Sequence, residues 1–475
     1  MIILRSILFL MVLAAGVNLV WGQDSTNPQQ PDSGQAPQPA PAYGTENQVP
    51  SISENPPISG LDLPNLEPHA APLSYLQAGA HVSESADTNI ENNLGGSQLQ
   101  SVTRAEGSLE LMRLWSNYTL ALDYLGGVGN YNVRGIGIRQ VEEMGISQKI
   151  SWKRGQFTVR DAFSYQPEGA FGSSYGSAAA TGAGLGDIGV FFGGSTFGAL
   201  GQVPRIMNVT VADAVETLTP KSSITGSFGY GFVHFLENEP GIGNAFIGDS
   251  QYSGQAGYNR ILGPHDQGAI VYGYQDFQFS TGVSFQDDVL QLMWGHRISG
   301  RMDFIGAIGP QFTQLANDLI ISTAGQAELR YQFPKATLAA SFRHFLTNGS
   351  GFFAGAESDI ASLSAARPLS RVWSVSSDLG YSRNSRATPE SCPQGQICTG
   401  ASAEGVSADV YQYGFAGVAF HRMFGRNFHG FASFHFNELS FDHSYCGTVG
   451  PCSRISNREV GTIGLDWTPR PIRLD

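Results

Sequence analysis

The sequence predicts an all-β fold: a closed antiparallel transmembrane β-barrel of about 18 strands (range about 16 to 18), preceded by a disordered Pro-rich segment. Three observations predict it. From residue 73 onward the 475-residue chain is a train of alternating strand-like runs, the connections switch between very short and long, and an export signal stands at the N-terminus. With 59 glycines, 11% aromatic and 14% charged residues and a mean hydropathy of −0.11, the chain is far from the apolar helical membrane type. A sheet in lipid must then close on itself, because open edges would leave backbone groups unsatisfied.

Met1 to Gly22 carries one basic residue, Arg5, the apolar run Ile7 to Ala15, and Val20 and Gly22 before Gln23. This is the pattern of a signal peptide cleaved near Gly22, because a retained anchor needs about 20 apolar residues. Residues 23–72 hold eleven prolines with Gln, Ser, Asn and acids and no Lys or Arg. Such a composition cannot bury a core, so it reads as a disordered acidic linker on the periplasmic side, a bare spacer or a dock for an envelope partner. Residues 73–475 form the barrel.

Period-two faces support that barrel run by run. Leu319, Ile321, Thr323, Gly325, Ala327, Leu329, Tyr331 and Phe333 share one face, opposite Ser322, Gln326, Glu328, Arg330 and Gln332. Ala105, Gly107, Leu109 and Leu111 stand against Arg104, Glu106, Ser108 and Glu110. Ile224, Phe228, Tyr230 and Phe232 oppose Thr225, Ser227 and Gly229, and Trp373, Val375, Leu379 and Tyr381 oppose Ser374, Ser376 and Asp378. A charged face behind an apolar one suits a wet lumen in a bilayer. Runs 267–279 and 408–423 carry aromatics on both faces, which leaves their orientation open.

The tight links are Trp152 to Gly155, Thr219 to Ser222, Ile298 to Arg301, Phe333 to Ala336, Arg367 to Arg371 and Phe424 to Asn427. Longer segments, 167–203, 236–250, 384–407 and 442–455, alternate with them. Export places the N-terminus in the periplasm, so the short turns belong there and the long loops outside. The apolar stretch Ile188 to Leu200 would fold into the mouth as a constriction, or form an additional hairpin or rim packing.

Cys392 with Cys398 and Cys446 with Cys452 share one spacing, and each pair falls in a single outer loop. Local disulfides are the favoured pairing in an oxidising compartment, out of three connectivities. A four-thiolate metal site fits less well, because metal knuckles separate their cysteines by about two to four residues.

Catalytic and cofactor signals do not rise above their surroundings. Gly172-Ser-Ser-Tyr-Gly176 spells a nucleophile elbow around Ser174, but in a Gly/Ser/Ala tract without a following helix, and Gly182 to Gly186 lacks dinucleotide-loop context. His429 and His435 share a face of run 427–441 with Phe431. At i, i+6 on a strand they lie about 20 Å apart, which suits lumen lining better than shared metal coordination. The lumen lining predicted is Arg104, Glu106, Glu110, Glu328, Arg330, Asp378, His429 and His435, with no metal, no cofactor and no enzymatic activity. The net charge of −13 argues against a nucleic-acid partner.

These runs and turns resemble bacterial outer-membrane β-barrel proteins from residue 73 onward. The segment Leu73 to Asn89 resembles the opening strand of barrels associated with exopolysaccharide export. Gly461, Ile463, Leu465 and Trp467 are similar to the alternating last strand of such barrels, which ends on an aromatic residue; here Thr468 to Asp475 follow it. The resemblance implies an outer-membrane location, with lipid around the barrel. Two functions follow: a porin-like channel for passive or selective passage of polar solutes, or a non-enzymatic envelope component associated with exopolysaccharide export or surface attachment.

Overall fold

The computed structural model describes residues 57–59, 74–91, 93–96, 98–133, 137–167, 204–236, 246–315, 318–387, 400–402, 405–446 and 452–474. The export signal, most of 23–72, the tract 168–203 with Ser174 and the 188–200 stretch, and Cys392 and Cys398 lie outside the described residues.

Fifteen strands follow one another: β1 (Tyr75–Asp87), β2 (Gln100–Leu114), β3 (Tyr118–Tyr131), β4 (Gly137–Trp152), β5 (Gly155–Gln166), β6 (Arg205–Thr219), β7 (Ser222–Phe235), β8 (Asp249–Ile261), β9 (Asp266–Phe279), β10 (Ser284–Ser299), β11 (Met302–Leu315), β12 (Asp318–Phe333), β13 (Ala336–Thr347), β14 (Ala356–Pro368) and β15 (Trp373–Arg386). A detached hairpin, β16 (Gly400–Ser402) with β17 (Gly405–Ser407), lies in the link to β18 (Val410–Phe424). Then come β19 (Phe428–Phe441), β20 (Ile455–Trp467) and the two-residue β21 (Ile472–Arg473).

Each barrel strand pairs antiparallel with the next, and the last pairs with the first: Ala80 on β1 lies opposite Trp467 on β20, and Asp87 opposite Val460. Strands β1–β15 and β18–β20 therefore close a barrel of eighteen. All six tight turns expected from the sequence join strands at one end. Residues 115–117 and 262–265 make further short links at that end, and the chain enters β1 and leaves β20 there.

The residues after Trp467 resume pairing. Beyond Pro469 and Pro471, which have no amide proton to donate, Ile472 and Arg473 pair with Leu76 and Tyr75 of β1. Leu474 N donates to Ser74 O at 3.0 Å. The tail extends the closing seam rather than ending it at Trp467.

The two faces divide by chemistry. Ile270, Leu292, Ile308, Ile321 and Ile463 are more than half exposed on the outside, while Arg104, Asp123, Arg160, Asp213, Asp287 and Asp378 are buried on the inside. Exposed Trp115, Trp152, Phe333, Trp373, Phe424, Phe428 and Trp467 ring the short-turn end. An apolar belt with an aromatic girdle around a polar interior is the surface of a barrel that sits in lipid.

β9 and β18 carry inward aromatics for a local reason. Phe277 and Phe279 of β9, and Tyr411, Tyr413 and Phe415 of β18, point inside at the long-loop end. There the link between β13 and β14 turns into the barrel and places Phe352 and Phe353, both fully buried, among them. Gly349, Gly351 and Gly355 take φ of 75°, 83° and 91°, values that L side chains rarely adopt. A β-carbon at Gly355 would also collide with the Phe285 ring. Among the described long-loop links, 348–355 folds inward.

Candidate functional site: the barrel lumen

The inner wall is built by the same alternation that builds the belt, because successive side chains on a strand point to opposite faces. Arg104, Glu106 and Glu110 lie on the inner face of β2. Arg104 Nη1 donates to Ser85 Oγ at 3.2 Å, Glu106 stands opposite His81 across the β1 pairing, and Glu110 accepts from the Tyr75 hydroxyl. His81 bridges Asp466 and Ser108, each at 2.9 Å. Glu110 also lies opposite buried Asp123 of β3. Several carboxylates therefore gather in the half of the lumen near the short turns.

Glu328 and Arg330 share the inner face of β12 and pair with each other, Nε to Oε1 2.6 Å. Asp378 on β15 and His435 on β19 face one another over Gly417 of β18, where a β-carbon would sit 2.5 Å from His435 Nδ1 and 2.7 Å from Asp378 Oδ1. Glycine at 417 makes room for both side chains. His429 lies opposite Asp466 in the β19–β20 register. The two histidines fall into separate clusters, and among the described residues no group of three or more His, Cys, Asp or Glu is placed to hold a metal ion.

Sequence reasoning missed the neighbouring part of the wall. Gln255, Gln275, Gln291, Gln311 and Gln326, one from each of β8 to β12, border a cavity of about 200 Å³ together with Asp287, Glu328 and Arg343. Gln311 Nε2 and Thr313 Oγ1 both donate to Asp287, each at 2.8 Å. The signal was present in the alternation of Gln255 with Ala256 and of Gln291 with Leu292, but a neutral amide does not mark a face as a charge does. Pro57, Ile58 and Ser59 were also missed; Ile58 and Ser59 are buried against the same wall, each 3% exposed.

At the long-loop end, Cys446 and Cys452 form a disulfide with Cα atoms 5.7 Å apart, as the shared spacing predicts. Tyr445 beside it stacks on Phe441, ring centroids 4.8 Å apart, which ties this loop to the aromatic cluster around Phe352.

The closed sheet, apolar belt and polar interior define the class: a transmembrane β-barrel with the architecture of bacterial outer-membrane proteins. No family model matches the chain, and no curated protein does. Among solved structures it is similar to Pseudomonas aeruginosa OccK2 (OpdF), with 7% identity, a TM-score of 0.41 and coverage of 83% of this chain and 98% of that one. Pseudomonas aeruginosa OpdQ gives 9%, 0.42, 84% and 98%, and Acinetobacter baumannii OccAB2 gives 8%, 0.42, 84% and 98%.

Proposed function

We propose that this barrel is a porin-like channel of the bacterial outer membrane that passes small polar solutes. The observation that carries the reading is the lane of five glutamines on consecutive strands beside Asp287, Glu328 and Arg343. Each carboxamide both donates and accepts hydrogen bonds, so such a wall can exchange partners with a hydroxyl- or amide-bearing solute moving past. Eighteen strands also enclose more space than their own inward side chains fill. Glu106, Glu110 and His429 line the path, with Arg104, Asp378 and His435 buried in the wall behind it, and solute passage needs no catalytic step.

In this reading the short turns face the periplasm, and residues 23–72 lead into β1 from that side as a linker open to an envelope partner. Reconstitution in planar bilayers tests it. Discrete conductance steps, with swelling of liposomes in neutral sugars or amides, are the expected result; a barrel that inserts and never conducts overturns it.

A specific observation favours a second reading, the non-enzymatic envelope component associated with polysaccharide export. Ile58 and Ser59 at one end, and Phe352 and Phe353 at the other, are buried inside the barrel. A permanently filled lumen would suit a component that transports nothing. Absence of conductance both in the native barrel and after these groups are displaced selects this reading.

A further inference from the structure

Ser59 is held in the lumen by side chains far away in sequence. Its N–H donates to Asn259 Oδ1 at 3.1 Å, and its Oγ accepts from Asn259 Nδ2 at 2.6 Å and lies 2.6 Å from Thr225 Oγ1. Its carbonyl accepts from Gln255 Nε2 at 2.9 Å. Every polar group of one residue is thus matched by the wall. Ile58 beside it packs into an apolar socket of Ala269, Val271, Met293, Ile305 and Ala307.

The wall is shaped to receive these two residues. A β-carbon at Gly257 would collide with Ser59, and one at Gly295 would come within 3.1 Å of Ile58 Cγ2. The socket also breaks the polar character of the lumen. Five inward apolar side chains on β9, β10 and β11 would be wetted in an empty pore, which is unfavourable in proportion to their area. Thr225, Asn259 and Gly295 all lie within four residues of the short-turn ends of their strands. The seat is therefore in the periplasmic half of the lumen.

The geometry points to an intramolecular binding site: the Thr225–Gln255–Asn259 cradle and its apolar socket bind the neutral peptide segment Ile58–Ser59, which restricts passage through the barrel. Ser59 precedes Ser74, just ahead of β1, by fifteen residues. The segment is a plug at the periplasmic mouth. This inference rests on the channel reading, and the experiment separates the two.

The test uses the full-length barrel in planar bilayers with three variants. Gly257→Val alters only the wall, Ile58→Glu alters only the segment, and a Ser59→Cys, Thr225→Cys pair locks the segment in place. The expected result is a rise of at least about twofold in mean single-channel conductance for each single variant, because conductance follows the open cross-section. The oxidised cysteine pair should cross-link, as mass spectrometry of its peptides reads directly, and should conduct at or below the native level. Single variants that conduct as the native barrel does, or a pair that does not cross-link, overturn the plug while leaving the channel intact. A cross-link that forms while native and unplugged barrels are both silent overturns the channel reading, and with it the effect assigned to the segment.

Discussion

Arg458 on β20 forks onto Asp87 on β1, with Nε 2.9 Å and Nη2 2.5 Å from Oδ2, and joins the last strand of the barrel to the first. Both side chains are at most 3% exposed. Around them Ser85 pairs with Thr462 at 3.0 Å, and the Asn89 side chain donates to Ser456 Oγ at 3.0 Å and to Asn457 O at 3.1 Å. The closing seam thus has a polar clasp toward the long-loop end and the β1–β21 pairing at the short-turn end.

Removing one member of the clasp leaves a buried charge without its partner. Asp87→Ala is expected to destabilise the barrel by about 3–5 kcal/mol. Replacing both residues with apolar ones of similar size should recover most of that loss. Urea unfolding in detergent, followed by the heat-sensitive migration of the closed barrel, measures both. Equal losses in the single and double variants would show that desolvation of the pair does not govern the seam.

Phe352 and Phe353 make a second prediction. Phe352 packs on Phe246, Tyr411 and Phe441, with centroids 5.2, 5.1 and 5.5 Å away, and the Arg386 guanidinium lies 4.7 Å from the Phe353 ring centre. Phe352→Ala should cost about 3–5 kcal/mol, the usual range for a fully buried phenylalanine. Since the loop lies inside the mouth, the variant should also conduct more than the native barrel. Gly355→Val should destabilise the same loop through positive φ and collision with Phe285. If thermal unfolding of Gly355→Val matches the native barrel, the loop does not need that conformation.

The contrast between β12 and β9 explains what was legible in the sequence. On β12, apolar and charged residues alternate cleanly, so Leu319, Ile321, Glu328 and Arg330 could be assigned to their faces without a structure. Turn lengths and the Cys446–Cys452 spacing were equally local and equally readable. β9 could not be oriented, because Phe277 and Phe279 point inward to meet Ile247, Leu346 and Ala354, partners supplied by the link before β8, by β13 and by the infolded loop. Such aromatic filling is set by tertiary contacts, which period-two patterning does not contain. The Ile58–Ser59 seat escaped for the same reason: two residues in a Pro-rich stretch have no periodicity, and their partners lie 166 to 200 positions away.

The disulfide should act locally. It closes a short loop, with a sequence separation of 6, so chain entropy assigns it about 2 kcal/mol in the unfolded reference. Cys446→Ser with Cys452→Ser is expected to speed proteolytic cutting within 442–454 and leave barrel migration nearly unchanged. Digestion with a broad-specificity protease, quantified by mass spectrometry, reads this out. A collapse of the whole barrel would instead make this loop part of its folding core.

The charges of the short-turn half should set ion preference. Glu110, Asp123 and Asp466 lie in that half with His429, Glu106 stands beside His81 near mid-height, and Arg104 sits nearer the long-loop end beside Ser85. A cleft lined with excess carboxylate concentrates cations and repels anions. Glu106→Gln with Glu110→Gln removes two of these four carboxyl groups, and the cation-to-anion permeability ratio should fall. Reversal potentials across a potassium chloride gradient measure it. The shift should be largest near 0.1 M salt, where screening acts over about 10 Å, and should fade toward 1 M, where the distance is about 3 Å. A double variant with the native reversal potential at low salt would place the ion path away from β2, along the glutamine lane of β8 to β12, because charges beside the moving ions cannot be removed without changing the field those ions cross.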